Sequence, residues 1–224
     1  DGTWAYVANK GSNSVSIINV SSLTLDATVS VGSSPIWITA KPDSTTMYVL
    51  NQGSGTVTVI DTVGRVVVGT IAVGASANSM AYDSVNHRLY VANTGSNSIS
   101  IFDADPQVPT LLRTVTVGAG PVSIAPLLDG SRVYVANSGC ADPISLTGCT
   151  GNTVSVVDAR SFTVSKTITV GSTPISLAAS AESTKVVVAD RDSDDIKDIR
   201  TLDDIVVTTI RSASPRPVQV IINQ

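Results

Sequence analysis

The sequence predicts an all-β protein in which five antiparallel four-stranded sheets follow one another along the chain. The first observation is a strand motif that occurs five times. Its copies are Tyr6-Val7-Ala8-Asn9, Tyr48-Val49-Leu50-Asn51, Tyr90-Val91-Ala92-Asn93, Tyr134-Val135-Ala136-Asn137 and Val187-Val188-Ala189-Asp190. The second is their spacing: 42 residues from position 6 to 48, 42 from 48 to 90, 44 from 90 to 134 and 53 from 134 to 187. A period near 40 residues is typical of a stacked or radial repeat array.

The third observation concerns the two ends of the chain. Residues 217–222 have the pattern of the strand that opens each repeat, whereas Asp1-Gly2-Thr3 has that of the turn that follows such a strand. The 224 residues therefore hold five whole repeats, cut between two strands. We expect the C-terminal strand, residues 217–223, to join the N-terminal sheet as its inner strand and close a ring.

The strands of the first complete repeat are predicted in order from their β-branched residues and polar turns. They are residues 36–39, 46–50, 56–60 and 66–73. No stretch of the chain shows a sustained helical period. The same division predicts one domain, 1–224, with five blades: residues 1–31 plus 213–224, then 32–73, 74–117, 118–170 and 171–212.

Several strands are apolar at consecutive positions, such as Val66-Val67-Val68 and Val186-Val187-Val188. Strands of this kind lie in sheets that are covered on both faces. A ring of sheets packed face to face meets that demand and leaves only short, protected edges. The predicted fold is a five-bladed β-propeller of four-stranded antiparallel blades.

The Tyr-Val-Ala-Asn strands, the Gly-Ser-Asn turns such as Gly11-Ser12-Asn13 and the Val-Gly-x-x-Pro links ending at Pro35, Pro121 and Pro174 resemble the YVTN family of β-propeller repeats. The resemblance spans the whole chain and implies the propeller fold found in surface-layer and lactonase-like proteins. Members of the family usually have seven blades, whereas this sequence predicts five. The resemblance says little about function, because propellers host unrelated activities on one scaffold.

Composition excludes some functions. Only 14% of the residues are charged, the net charge is −4 and 4% are aromatic. A nucleic-acid-binding module would show a basic stripe or a stacking platform. No apolar run approaches the roughly 18 to 20 residues of a membrane span. We expect neither nucleic-acid binding nor membrane insertion, and the chain, which starts at Asp1, is expected to be a processed form or a part of a longer protein.

Both cysteines, Cys140 and Cys149, lie in an insertion of the fourth repeat. A disulfide between them would close a polar surface loop and would indicate an oxidising compartment; two free thiols are the alternative. Because His87 is the only histidine, a zinc site is not expected.

In the fifth repeat an acidic loop replaces the Gly-Ser-Asn turn. Carboxylates at alternate positions can converge on calcium, and the candidate ligands are Asp190, Asp192, Asp194 and Asp198. The alternative is a solvated acidic loop that is neutralised by Arg191, Lys197 and Arg200.

Equivalent strands end in amides or an acid, which symmetry would place in a circle on one side of the ring. This candidate ligand-binding face comprises Asn9, Asn51, Asn93, Asn137 and Asp190, with Trp37 as a stacking aromatic near the channel mouth. The alternative is structural: Asn side chains bond neighbouring turn amides, and Trp37 is buried between blades.

The sequence predicts an extracellular, cell-surface or periplasmic binding or assembly module that holds a protein or glycan on its loop face. The alternatives are a lactonase-like or lyase-like enzyme with a site at the channel mouth, and a structural domain of a surface layer or filament. No nucleophilic constellation is evident, since His87 has no clear partner. An enzyme is therefore the less favoured hypothesis, no cofactor is required, and calcium is the one candidate.

Overall fold

The computed structural model describes residues 2–43, 45–140, 147–211 and 215–222. Within these ranges the chain forms nineteen β-strands and one short 3-10 turn, Thr94–Ser96. The strands make one three-stranded sheet and four four-stranded sheets, each antiparallel and in chain order. None of the described segments forms a helix with the length and hydropathy to cross a bilayer.

The strand bounds repeat from sheet to sheet. The first sheet holds β1 (Trp4–Asn9), β2 (Ser14–Asn19) and β3 (Thr24–Ser30), and the second holds β4 (Pro35–Ala40), β5 (Thr46–Asn51), β6 (Thr56–Asp61) and β7 (Val66–Ala72). The third holds β8 (Ala77–Asp83), β9 (Arg88–Asn93), β10 (Ser98–Asp103) and β11 (Thr110–Thr116). The fourth holds β12 (Pro121–Pro126), β13 (Arg132–Asn137), β14 (Thr153–Asp158) and β15 (Thr163–Thr169), and the fifth holds β16 (Pro174–Ala179), β17 (Lys185–Asp190), β18 (Asp195–Arg200) and β19 (Ile205–Arg211).

The core lies between the sheets. Four clusters of buried apolar residues each join two consecutive sheets, from the first and second to the fourth and fifth. In β5, Met47 and Val49 pack toward the first sheet, whereas Tyr48 and Leu50 pack toward the third. The strands lack polar alternation because a sheet with a neighbour on each side is covered on both faces. Each Å² of apolar surface buried in this way stabilises the fold by about 25 cal/mol.

The C-terminal residues differ from the prediction. Residues 215–222 form no strand, and β1 pairs only with β2 among the described residues. The tail lies instead beside β16, where the Val220 N–H donates to the Ser176 hydroxyl at 3.2 Å. One sheet earlier, the Leu177 N–H donates to the Ser123 hydroxyl at 3.1 Å.

The tail therefore contacts the fifth sheet much as β16 contacts the fourth, in the place of a next inner strand. The side of β1 that would receive it remains open, with Val7 43% exposed. In the described part of the chain no apolar cluster joins the fifth sheet to the first. The predicted closure of the ring is thus not seen, because the contacts that hold the tail reach only one of its two expected neighbours.

The hairpin turns divide the molecule into two sides. In the four-stranded sheets the turns between first and second strands and between third and fourth strands lie on one side, which we call the turn face, as residues 62–65 of the second sheet do. Among the described residues the first sheet lacks the inner strand, so its turn at residues 20–23 lies on the turn face and its turn at residues 10–13 on the other side. The links between sheets and the turns between second and third strands end on the opposite side, the link face, as residues 73–76 and 52–55 do.

Candidate functional site

The asparagines that end β1, β5, β9 and β13 bond within their own sheets. The Asn93 amide donates to the hydroxyls of Ser98 and Ser100, at 3.3 and 2.9 Å, and its oxygen accepts the Gly74 N–H at 2.9 Å. The amide groups of Asn9, Asn51 and Asn137 donate to the equivalent pairs of hydroxyls. Asn51 and Asn93 are fully buried. These bonds support the structural interpretation, and a ligand role for the circle stays a prediction.

Asp190 occupies the same position in the fifth sheet but has different neighbours. One carboxylate oxygen accepts the Gly171 N–H at 2.9 Å; the other is buried without a hydrogen-bond partner. Asp195 and Lys197 stand where the sibling sheets have hydroxyls, and the Lys197 ammonium lies 2.9 Å from the Asp195 carboxylate. Burial, reinforced by the Asp195 carboxylate, raises the pKa of Asp190 to about 7, although Lys197 and the Gly171 N–H act the other way.

The structure does not bring the four candidate calcium ligands together. Asp192 accepts the Thr173 hydroxyl at 2.8 Å, Asp194 accepts the Arg216 N–H at 2.7 Å, and Asp198 pairs with Lys185 at 3.1 Å. Asp198 lies three residues beyond Asp195, which pairs with Asp190, so strand rise alone carries it about 10 Å along the sheet. Among the described residues no group of three or more His, Cys, Asp or Glu side chains could hold a metal ion.

Cys140 and Cys149 form the expected disulfide. It spans the base of the insertion, whose residues 141–146 lie outside the described ranges. The pairing favours an oxidising environment. Trp37, on β4, is 44% exposed, so the interpretation that it is buried between blades is wrong. The other inner strands carry serine at this position; the Ser123 hydroxyl accepts the Leu177 N–H of β16, and the Ser176 hydroxyl accepts the Val220 N–H of the C-terminal tail.

Side-chain contacts that the sequence did not predict lie on the turn face, at the junctions between sheets. Between the first and second sheets, Arg65 forms an ion pair with Asp26 and lies over the Trp4 ring, 4.5 Å from its centroid. Trp4 and Arg65 border a cleft of about 530 Å³ that Tyr6 and Asp43 also line. A cation over an indole face is attracted by the ring quadrupole.

Two further junctions also hold an arginine. Between the third and fourth sheets, Arg88 donates to the Ala159 carbonyl and lies over the Phe162 ring, 4.6 Å from its centroid. Between the fourth and fifth, Arg132 donates to both carboxylate oxygens of Asp204 at 2.8 Å. Arg88 and Arg132 are the first residues of β9 and β13, and each reaches a turn of the following sheet.

The junction between the second and third sheets is different. It holds two cavities, of about 420 and 340 Å³, that share Asp105. Tyr82 and His87 line the larger one, where the tyrosine hydroxyl lies 3.3 Å from the imidazole Nδ1 and the same nitrogen lies 3.7 Å from Asp105. Sequence reasoning placed His87 in a solvated turn without a partner, because Asp105 approaches it only through the folded turn of the same sheet.

Comparison with known proteins bears on the fold. No family model matches the chain and no curated protein matches it, so membership of the YVTN family is not shown. The fold is shared with 1379 chains of solved structures. One is a chain of Kuenenia stuttgartiensis hydrazine synthase, 14% identical, with a TM-score of 0.67 and an alignment that covers 99% of this chain and 87% of that one. Together with the repeated antiparallel sheets, this likeness supports a β-propeller-like fold.

Proposed function

We propose that the protein is a binding or assembly module of the YVTN propeller type that works outside the cytoplasm and holds a protein partner on its turn face. The disulfide supports the oxidising compartment. The propeller-like fold is compatible with such a role, since it offers broad sides made of short turns.

One observation carries the choice of the turn face. The turn before the last strand of three sheets carries an almost fully exposed apolar side chain: Leu23 (81%) in the first, Val63 (82%) in the second and Leu202 (86%) in the fifth. The corresponding turns of the link face carry Gly, Ser, Asn and charged residues instead. Val63 and Leu202 stand two residues after the preceding strand, and Leu23 stands four residues after it. Exposed apolar tips on the same side of three sheets form a surface that a partner protein would cover, and each would contribute about 1 to 2 kcal/mol when buried.

The test compares a triple variant, Leu23→Ser with Val63→Ser and Leu202→Ser, with a matched double variant on the link face, Lys10→Ser with Gln52→Ser. Surface proteins retained by the immobilised chain are identified, and the affinity of each purified partner is measured. We expect the turn-face variant to bind at least tenfold more weakly and the link-face variant to bind normally. Equal affinities of the three proteins, or glycans as the only ligands retained, would contradict the proposal.

The proposal includes the closed five-bladed ring with the blade bounds predicted from the sequence. In the fourth and fifth sheets Ser123 pairs with Ala136 and Ser176 with Ala189, so closure would pair Gln219 with Ala8. We expect Ala8→Cys combined with Gln219→Cys to form an additional disulfide, detected by mass spectrometry without reduction. The pair Val7→Cys with Gln219→Cys, one residue out of register, is the control. Free thiols in both double variants would count against closure.

A further inference from the structure

Among the described residues, no arginine lines the junction between the second and third sheets, whereas each of the other three junctions described above holds one. Thr46 is the first residue of β5, the position held by Arg88 in β9 and Arg132 in β13. None of the residues that line the two cavities here is an arginine. Thr46 itself lines the smaller cavity, together with Asp61 and Asp105. The space that corresponds to the Arg88 and Arg132 side chains is therefore open here.

A buried tyrosine lies beside this opening, although its unpaired hydroxyl does not by itself set the junction apart, because Tyr90, at the junction that holds Arg88, has one as well. In the fourth sheet the Tyr134 hydroxyl donates to Asp204, the carboxylate that Arg132 holds from the other side. The Tyr48 hydroxyl, two residues after Thr46, is fully buried and has no hydrogen-bond partner. Its ring stacks on that of Tyr82 at 6.2 Å between centroids. Burial raises the pKa of Tyr48, and Tyr82 and Asp43, which line the larger of the two cavities, raise it further. An unpaired buried hydroxyl costs about 1 to 3 kcal/mol.

The charges around the opening favour a cation. Asp43, Asp61 and Asp105 contribute three carboxylates to the two cavities, against the single ammonium of Lys41. Asp43 and Asp61 are held by turn N–H groups, from Thr45 and Val63 respectively, which fixes their positions without cancelling their charge. The Asp105 side chain is 70% exposed and free to close on a ligand.

We propose that this junction binds the guanidinium group of an arginine side chain presented by a partner protein. A planar guanidinium can stack on an aromatic ring, as Arg65 does on Trp4, and can pair with a carboxylate, as one terminal nitrogen of Arg132 does with both oxygens of Asp204. Tyr82 would supply the ring and Asp105 the carboxylate. The site lies on the turn face but does not depend on the apolar tips, since a small arginine derivative can occupy it alone.

The experiment titrates the purified protein with Nα-acetyl-L-arginine amide by calorimetry, with the citrulline analogue as the neutral isostere and the lysine analogue as a second cation. We expect saturable binding of the arginine probe, at least tenfold tighter than that of the other two. A peptide with one central arginine is expected to bind at least as tightly as the amino-acid probe. Agmatine binding tenfold more tightly than the peptide would overturn the assignment to a peptide side chain.

Two variants locate the site. Thr46→Arg restores the sibling arrangement, so we expect it to fill the cavity and weaken binding at least tenfold. Lys185→Arg makes a matched change at the first residue of β17 and should leave binding unchanged. Asp105→Asn changes an exposed side chain and leaves the core as it is, and we expect it to weaken binding as well. It provides the test if the Thr46→Arg protein fails to fold. Equal binding of arginine and citrulline probes, or unchanged binding by Asp105→Asn, would overturn the proposal.

Discussion

Replacing Asp190 with asparagine is expected to stabilise the protein, by a margin that grows as the pH rises from about 4 to 8. In the folded chain the pKa of Asp190 is about 7 because the carboxyl is buried beside Asp195, whereas an aspartate in an unfolded chain titrates near pH 4. Below pH 4 both states hold the proton. As the pH rises toward 7, the unfolded chain loses this proton before the folded chain does, so the free energy of unfolding falls. Above pH 7 both states have lost the proton, and the free energy of unfolding falls no further on this account.

Asparagine removes this titration and restores the sibling arrangement. Its side-chain oxygen can accept the Gly171 N–H. Its NH₂ group takes the place of the carboxylate oxygen that has no hydrogen-bond partner, and it can donate to Asp195. The gain at pH 8 is expected to be on the order of 3 kcal/mol, and the melting temperature measured by calorimetry between pH 4 and 8 would show it. The groups that face Asp190 on β18, Asp195 and Lys197, remain in place.

The control is the reverse change, Asn137→Asp in the fourth sheet. It removes the amide that donates to Thr153 and Ser155, at 3.1 and 3.0 Å, and is expected to lower the melting temperature at neutral pH. If Asp190→Asn melted below the wild-type protein at pH 8, or if the difference between them did not change with pH, the account of the buried carboxyl would be wrong.

Replacing Gly151 with alanine is expected to be among the most destabilising single changes in the chain. A Cβ at this position would lie 2.1 Å from the Asn137 carbonyl oxygen and 2.4 Å from the Ser138 carbonyl carbon, and both are backbone atoms. Gly151 also donates its N–H to Ser138 and accepts the Thr173 N–H, each at 2.8 Å. The foot of the disulfide insertion would have to move away from β13, which breaks these bonds.

We expect a loss of about 3 kcal/mol or more, which for a domain of this size lowers the melting temperature by roughly 6 to 12 °C. Gly11→Ala is the matched control, because a Cβ there would meet no atom within 4 Å. Thermal unfolding followed by circular dichroism gives both values. A Gly151→Ala protein that melts within 2 °C of the wild type would show that the close approach is readily relieved.

The strands of the repeat could be predicted within one or two residues. Strands expected at 36–39, 46–50, 56–60 and 66–73 are found at Pro35–Ala40, Thr46–Asn51, Thr56–Asp61 and Val66–Ala72. The agreement is good because β-branched runs and their polar turns are local signals, and because five copies of one motif reinforce each other. The disulfide was predicted for a similar reason, since the two cysteines flank one short insertion.

The ligand-binding role of the candidate sites stays a prediction, because their residues were chosen without knowledge of their neighbours in space. The circle of asparagines and the acidic loop were chosen from spacing along the chain, but strand direction turns Asn93 and its equivalents into their own sheets and separates Asp198 from Asp190. The tail was assigned to the first sheet from its pattern alone. A pattern states which kind of strand a segment can form, but it does not state which neighbour holds it.

The amino-acid sequence by itself determined the all-β class, the succession of five antiparallel sheets and the strands of the repeat for which bounds were predicted, because these depend on residues close together in the chain. The tertiary structure alone decided which side chains meet at the junctions between sheets. Thr46 and Asp105 are 59 positions apart, and they line one cavity only because successive sheets stack face to face. An arginine lies at three of these junctions, and none lines the cavities of the fourth. This difference depends on which sheets pack against each other, which the order of residues along the chain does not state.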